Sequence, residues 1–86
     1  MELNRCEYSI MGILKTKKAV DMIHGLTVYE ISDFEKVTKT ATIHKKVKKL
    51  QDLGYLAEGV KAGRAKTYYL TEAGIGILPI KKEENL

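Results

Sequence analysis

Apolar and polar positions follow a helical period over the first two thirds of the chain and then change to a strand-like one. Residues 8–14 are mostly apolar and predict an N-terminal helix, which Gly12 weakens. A second apolar group, Ala19, Val20, Met22 and Ile23, follows the possible N-cap Thr16 and stops at Gly25. It predicts either a separate helix over 17–24 or a continuation of the first. Thr27-Val28-Tyr29-Glu30 has the form of a capping box, in which Thr27 and Glu30 satisfy each other's backbone donors. The helix it opens runs through about Glu35, with Val28, Ile31 and Phe34 on one face. A turn is expected over 36–38.

The clearest pattern spans 39–53, with Thr38 or Thr40 as N-cap and Gly54 as the stop. Taking Ile43 as zero at 100° per residue, Val47 falls at about 40° and Leu50 at about −20°, a narrow apolar stripe. Opposite it lie Lys48, Ala41, Lys45, Lys49 and Thr42, between about 140° and 260°. His44, at about 100°, sits at the boundary of the two faces.

Residues 55–61 and 65–71 read as two strands joined by Ala62-Gly63-Arg64. Leu56 and Leu70 are expected to point inward together. That pairing requires an odd loop, so three residues are expected there. Of Tyr68 and Tyr69, which alternate sides, one belongs to the core. Thr71-Glu72-Ala73-Gly74 caps a short last helix carrying Ile75, Ile77 and Leu78, weakened by Gly74 and Gly76 and ended by Pro79. The expected division is one domain over 1–80 and a frayed tail over 81–86.

Charge adds what periodicity does not show. The 86 residues hold 15 Lys+Arg and 11 Asp+Glu, a net charge of +4. Between 36 and 66 lie nine basic residues, and only Asp52 and Glu58 oppose them: nine minus two, or +7. The remainder holds six basic and nine acidic residues, or −3. Such a division points to one polyanion-binding face rather than to general stickiness. Lys61, Arg64 and Lys66 gather at the hairpin tip.

Other classes lose ground. No apolar run approaches the roughly 20 residues of a membrane span, and MELNRCEYSI lacks a signal-peptide core. Cys6 is the one cysteine, which excludes an intramolecular disulfide and suits a reducing, cytoplasmic setting. Cys6, His24 and His44 have no metal-ligand spacing, and His24 reads as a helix C-terminal residue. The serines, Ser9 and Ser32, have no His–carboxylate arrangement beside them, and no phosphate-cradling Gly loop exists. The chain reads as a non-enzyme without metal or cofactor.

The order of parts is that of a winged helix-turn-helix. Residues 42–56, TIHKKVKKLQDLGYL, look like the recognition helix of bacterial and archaeal winged-helix regulators. Gly63-Arg64 followed by Tyr68-Tyr69-Leu70-Thr71-Glu72-Ala73-Gly74 resembles the wing and exit of the MarR and PadR types, where Leu-Thr-Glu-Ala-Gly recurs. The likeness covers roughly residues 17 to 74. It implies an α+β winged-helix fold: a three-helix core, a two-stranded wing, an extra N-terminal helix and a short C-terminal helix. It departs from many such regulators in lacking long C-terminal dimerisation helices and room for a ligand-binding domain, so no small-molecule effector is expected.

In that fold a helix enters the major groove while the wing lies along the backbone or minor groove. Thr40, Thr42 and Lys45, in the first half of the helix, are the candidates for base reading, with His44 at their edge. Lys39 is a further reachable group of the helix; Lys48, Lys49 and Lys36 suit phosphates, as do Lys61, Arg64 and Lys66 on the wing, where Arg64 could enter a narrow minor groove. The excess apolar residues of the first helix either close the core as an extra helix or, the preferred reading, form a homodimer interface through Tyr8, Met11 and Leu14 with Ile77 of the last helix, since a two-fold doubles the site read. The expected function is sequence-specific double-stranded DNA binding. The protein would act as a transcriptional regulator, such as a repressor on a palindrome. The alternative is a DNA-organising or partition adaptor that binds repeated sites and recruits another protein. A winged-helix module that touches only protein is disfavoured by the +7 stretch.

Overall fold

The computed structural model describes residues 3–78. Six elements follow in order: α1 (Arg5–Thr16), α2 (Val28–Glu35), α3 (Thr40–Asp52), β1 (Leu56–Glu58), β2 (Tyr68–Leu70) and α4 (Glu72–Ile77). The winged-helix arrangement is the one expected. Pro79 and the tail 81–86 lie outside the described residues.

Asn4 opens α1. Its side chain accepts the Glu7 N–H at 2.9 Å, and Glu7 Oε1 accepts the Asn4 N–H at 2.9 Å. This second capping box starts the helix three residues before the apolar run does. Ile10, Met11 and Leu14 form the buried stripe of α1, each fully enclosed. That corrects the interface expected at Met11 and Leu14: both side chains are spent on the protomer's own core and present no surface to a second copy.

No helix forms over 17–24. Lys17 caps α1, Lys18 turns into the left-handed region at φ 61°, and the Ala19 N–H returns to the Leu14 carbonyl at 2.8 Å. The segment then gives its backbone to the wing. The Ala19 carbonyl accepts the Leu70 N–H at 2.8 Å, and Leu26 exchanges hydrogen bonds with Tyr68 at 2.9 and 2.8 Å. Ala19 is buried, whereas Val20, Met22 and Ile23 are exposed. His24 therefore caps no helix; its Nδ1 lies 2.7 Å from Asp21 Oδ1, which also accepts the Ile23 and His24 N–H groups.

The capping box of α2 forms as read: Thr27 Oγ1 accepts the Glu30 N–H at 3.1 Å and Glu30 Oε1 the Thr27 N–H at 2.8 Å. At the start of α3 neither threonine caps. Lys39 holds the N-cap position without a side-chain bond. Thr38 Oγ1 donates to Glu35 Oε2 at 2.9 Å, and Thr40 Oγ1 pairs with Ser32 Oγ at 2.9 Å. The Thr40 hydroxyl ties α3 to α2, and the Thr38 hydroxyl holds the intervening turn to the end of α2. Ile43, Val47 and Leu50 are fully buried, as their spacing requires. Gly54, at φ 87°, follows the C-cap Leu53.

The hairpin keeps the expected inward pair, Leu56 opposite Leu70, with Tyr68 in the core. Its regular strands are only three residues long. The three-residue loop is not found. Ala62 and Ala65 bridge across a two-residue turn, Gly63-Arg64. The Gly59 N–H still donates to the Thr67 carbonyl in the inner register. Val60 and Lys61 therefore oppose Lys66 alone, and this bulge absorbs the odd residue. Thr71 caps α4 by accepting the Gly74 N–H at 3.2 Å while donating to the Gly54 carbonyl at 2.7 Å. No helix among the described residues is long and apolar enough to cross a membrane.

Candidate nucleic-acid interface

The apolar stripe of α3 fixes its orientation, so its other faces meet different surroundings. Lys39, Ala41, His44, Lys45 and Lys48 are exposed; Thr40, Thr42, Lys46 and Lys49 are half-buried. On the wing side, α3 borders an open groove of about 570 Å³. Thr40, Ala41, His44 and Lys45 form one wall and Ala65, Lys66 and Tyr68 the other. The start of α2, with Thr27, Val28 and Tyr29, closes the end. The fold thus brings His44 and Lys45 of the helix together with Lys66 of the wing. Lys61 and Arg64 are exposed at the hairpin tip, and Lys36 is exposed on the turn after α2, at φ 65°.

Some expected contacts are already engaged. Lys66 Nζ lies 3.2 Å from Glu58 Oε2, an exposed pair of little energetic weight that a phosphate can displace. The Thr40 hydroxyl is held by Ser32. Lys49 turns away from the wing toward α1, where its Nζ donates to Glu7 Oε2 at 2.8 Å; Lys46 Nζ lies 3.3 Å from the same oxygen.

Among the described residues Glu7 is the buried charge, with no exposed side-chain surface. Burial pushes its carboxyl pKa up, but Lys49, the Asn4 N–H and Lys46 outweigh that and hold it below the ordinary carboxylate value. Sequence reasoning passed over Glu7. The signal was present in Asn4-Arg5-Cys6-Glu7, an N-terminal capping pattern directly before the apolar run. Tyr29 was also missed. It is 71% exposed at the end of the groove, an aromatic off the Val28–Ile31–Phe34 stripe.

A second concavity, of about 1340 Å³, lies on the outer side of α1. Tyr8 and Ile13 line it from α1, Phe34 from α2 and Val37 from the turn. Val37 is 88% exposed, and Lys17 Nζ sits 4.2 Å above the Phe34 ring. Tyr8 and Ile77 are thus the expected interface residues that retain accessible surface.

No family model matches the sequence. Over 75 residues the chain is 32% identical to the DNA-binding protein TubR of Clostridium botulinum C phage, a match covering 87% of this chain and 91% of that protein. The chain belongs to the TubR family. TubR from Bacillus megaterium pBM400 superposes with a TM-score of 0.76 at 28% identity, covering 87% of this chain and 81% of that one. The solution structure of the DNA-binding TubR fragment from Clostridium botulinum gives 0.70 at 32%, covering 88% and 93%. The PcaV transcriptional regulator of Streptomyces coelicolor gives 0.72 at 21%, covering 87% of this chain and 50% of that chain. That last likeness is one of fold. The MarR and PadR resemblance therefore reaches the winged-helix architecture, while the family kinship is with TubR.

Proposed function

We propose that this TubR-family protein binds double-stranded DNA as a homodimer, with α3 in the major groove and the hairpin against the backbone. Its role on this reading is to organise repeated sites as a partition adaptor rather than to regulate promoters. The kinship with a DNA-binding TubR over nearly the whole length of both chains carries the proposal. The exposed cations around the α3–wing groove support it. Lys45 and Lys48 project outward from α3, and Lys61 and Arg64 are exposed at the wing tip. Point charges on flexible stems suit phosphates, while Thr42, His44 and Lys45 stand where base edges pass.

The phage origin of the 32%-identical relative favours a replicon-maintenance role over control of a chromosomal promoter. Mapping of binding sites across the source genome tests this. A tandem array beside a partition operon is the expected result. One or a few isolated promoter palindromes would establish the regulator instead.

A further inference from the structure

Four lysines crowd the middle of α3, at 45, 46, 48 and 49, yet they do not share one environment. Lys45 and Lys48 are exposed. Lys46 and Lys49 converge on a single oxygen of Glu7, at 3.3 and 2.8 Å, with 27% and 41% of their side chains exposed. The other Glu7 oxygen accepts the Asn4 N–H, and the Asn4 side chain accepts the Glu7 N–H in return. Glu7 is therefore fixed at both ends: its backbone by the first turn of α1, its carboxylate by two ammonium groups of α3. A buried carboxylate in this position cannot give up its cations cheaply, because an unpaired charge would remain without solvent.

We infer that Glu7 is a positioning residue that draws Lys49 away from the DNA face and keeps Lys46 beside it, so that of these four lysines Lys45 and Lys48 alone meet a duplex. This rests on the duplex-binding function proposed above. Phosphate contacts raise affinity for every sequence equally, whereas base contacts discriminate. Keeping Lys46 and Lys49 off the phosphates trims sequence-independent binding and leaves the base-reading face its share of the total. Glu7 thus sets specificity without touching DNA.

The test is the salt dependence of binding to a random-sequence duplex, for wild type, Glu7→Gln and Glu7→Gln/Lys46→Ala/Lys49→Ala. The amide keeps an oxygen for the Asn4 N–H but loses the charge that holds the lysines. Glu7→Gln is expected to bind the random duplex more tightly at low salt, with a log–log salt slope steeper by roughly one to two, at about 0.9 per added phosphate contact. The triple variant is expected to return to the wild-type slope. An unchanged slope in Glu7→Gln overturns the role of Glu7 while leaving the duplex-binding reading intact. Wild type that binds no duplex at any salt overturns that reading itself.

Amine acetylation of the wild-type protein, with and without the same duplex and read by mass spectrometry, needs no variant to fold. Lys45 and Lys48 should gain protection on DNA, while Lys46 and Lys49 should be acetylated equally in both states. DNA-dependent protection of Lys46 or Lys49 would overturn the inference.

Discussion

Gly59 lies with its α-carbon against the Met22 carbonyl: a Cβ built at 59 would stand 2.5 Å from that oxygen and 3.0 Å from Thr67 Oγ1. The same carbonyl accepts the Val60 N–H at 2.8 Å, so the contact cannot relax without losing a hydrogen bond. Gly59→Ala is expected to destabilise the protein by about 1–3 kcal/mol, the cost of overpacking a closed site. Urea denaturation measures it. Gly12→Ala serves as the control, because a Cβ at 12 meets nothing within 4 Å and the position is helical. There alanine should add about 0.5–1 kcal/mol. Equal midpoints for the two variants would remove the steric argument.

This contact also explains what the sequence concealed. Residues 17–24 have the apolar content of a helix, but the Ala19 and Met22 carbonyls find their partners far along the chain, at Leu70 and Val60. Local propensity is a weak prior, and tertiary pairing overrode it here. The left-handed Lys18 carries no local signature either. The opposite holds for α2 and α3. Thr27 and Glu30 find each other within one turn, and Ile43, Val47 and Leu50 need only the helical period to fall on one buried face. The basic face was legible because it is the complement of that stripe. The pairing of Lys46 and Lys49 with Glu7 was not, since that partner lies about forty residues away in another helix.

Glu7 gives an acid-side signature. Its folded carboxyl pKa is lowered from the ordinary 4.5 by Lys49, Asn4 and Lys46 against the opposing pull of burial. A depressed carboxylate contributes stability that is complete above its unfolded pKa and is lost as pH falls through the folded value. The stability gap between wild type and Glu7→Gln should be constant from neutrality down to about pH 4.5 and narrow below it. Asp21 and Glu35 are lowered as well, but both proteins share them, so they cancel in the difference. Chemical denaturation across that range reads the gap. A gap that persists unchanged at the acid end would show that the Glu7 charge is not its source.

The outer face of α1 separates association from folding. Tyr8 is 37% exposed and lines the concavity with Phe34 and Val37, whereas Met11 is fully enclosed. With a homodimer on this face, Tyr8→Glu should shift sedimentation toward monomer at tens of micromolar, on the order of assay concentrations, with little loss of monomer stability. Met11→Ala should instead lower stability by about 2–5 kcal/mol through the cavity it leaves. Wild type that sediments only as monomer at those concentrations would count against a homodimer through this face.

Lys45 and Arg64 should fail differently on DNA, although each removes one exposed cation. Lys45 stands on the groove wall in the first half of α3, where it can reach a base edge, whereas Arg64 occupies the wing turn. Lys45→Ala is expected to cost about 1–3 kcal/mol at a specific site and to relax discrimination against a scrambled duplex. Arg64→Ala is expected to weaken specific and scrambled duplexes alike and to lower the salt slope by about one, the mark of a lost phosphate contact. Fluorescence anisotropy on the two duplexes over a salt series separates the outcomes. If both variants bind like wild type, the duplex meets another surface, and the exposed cations around the α3–wing groove serve only to keep that side hydrated.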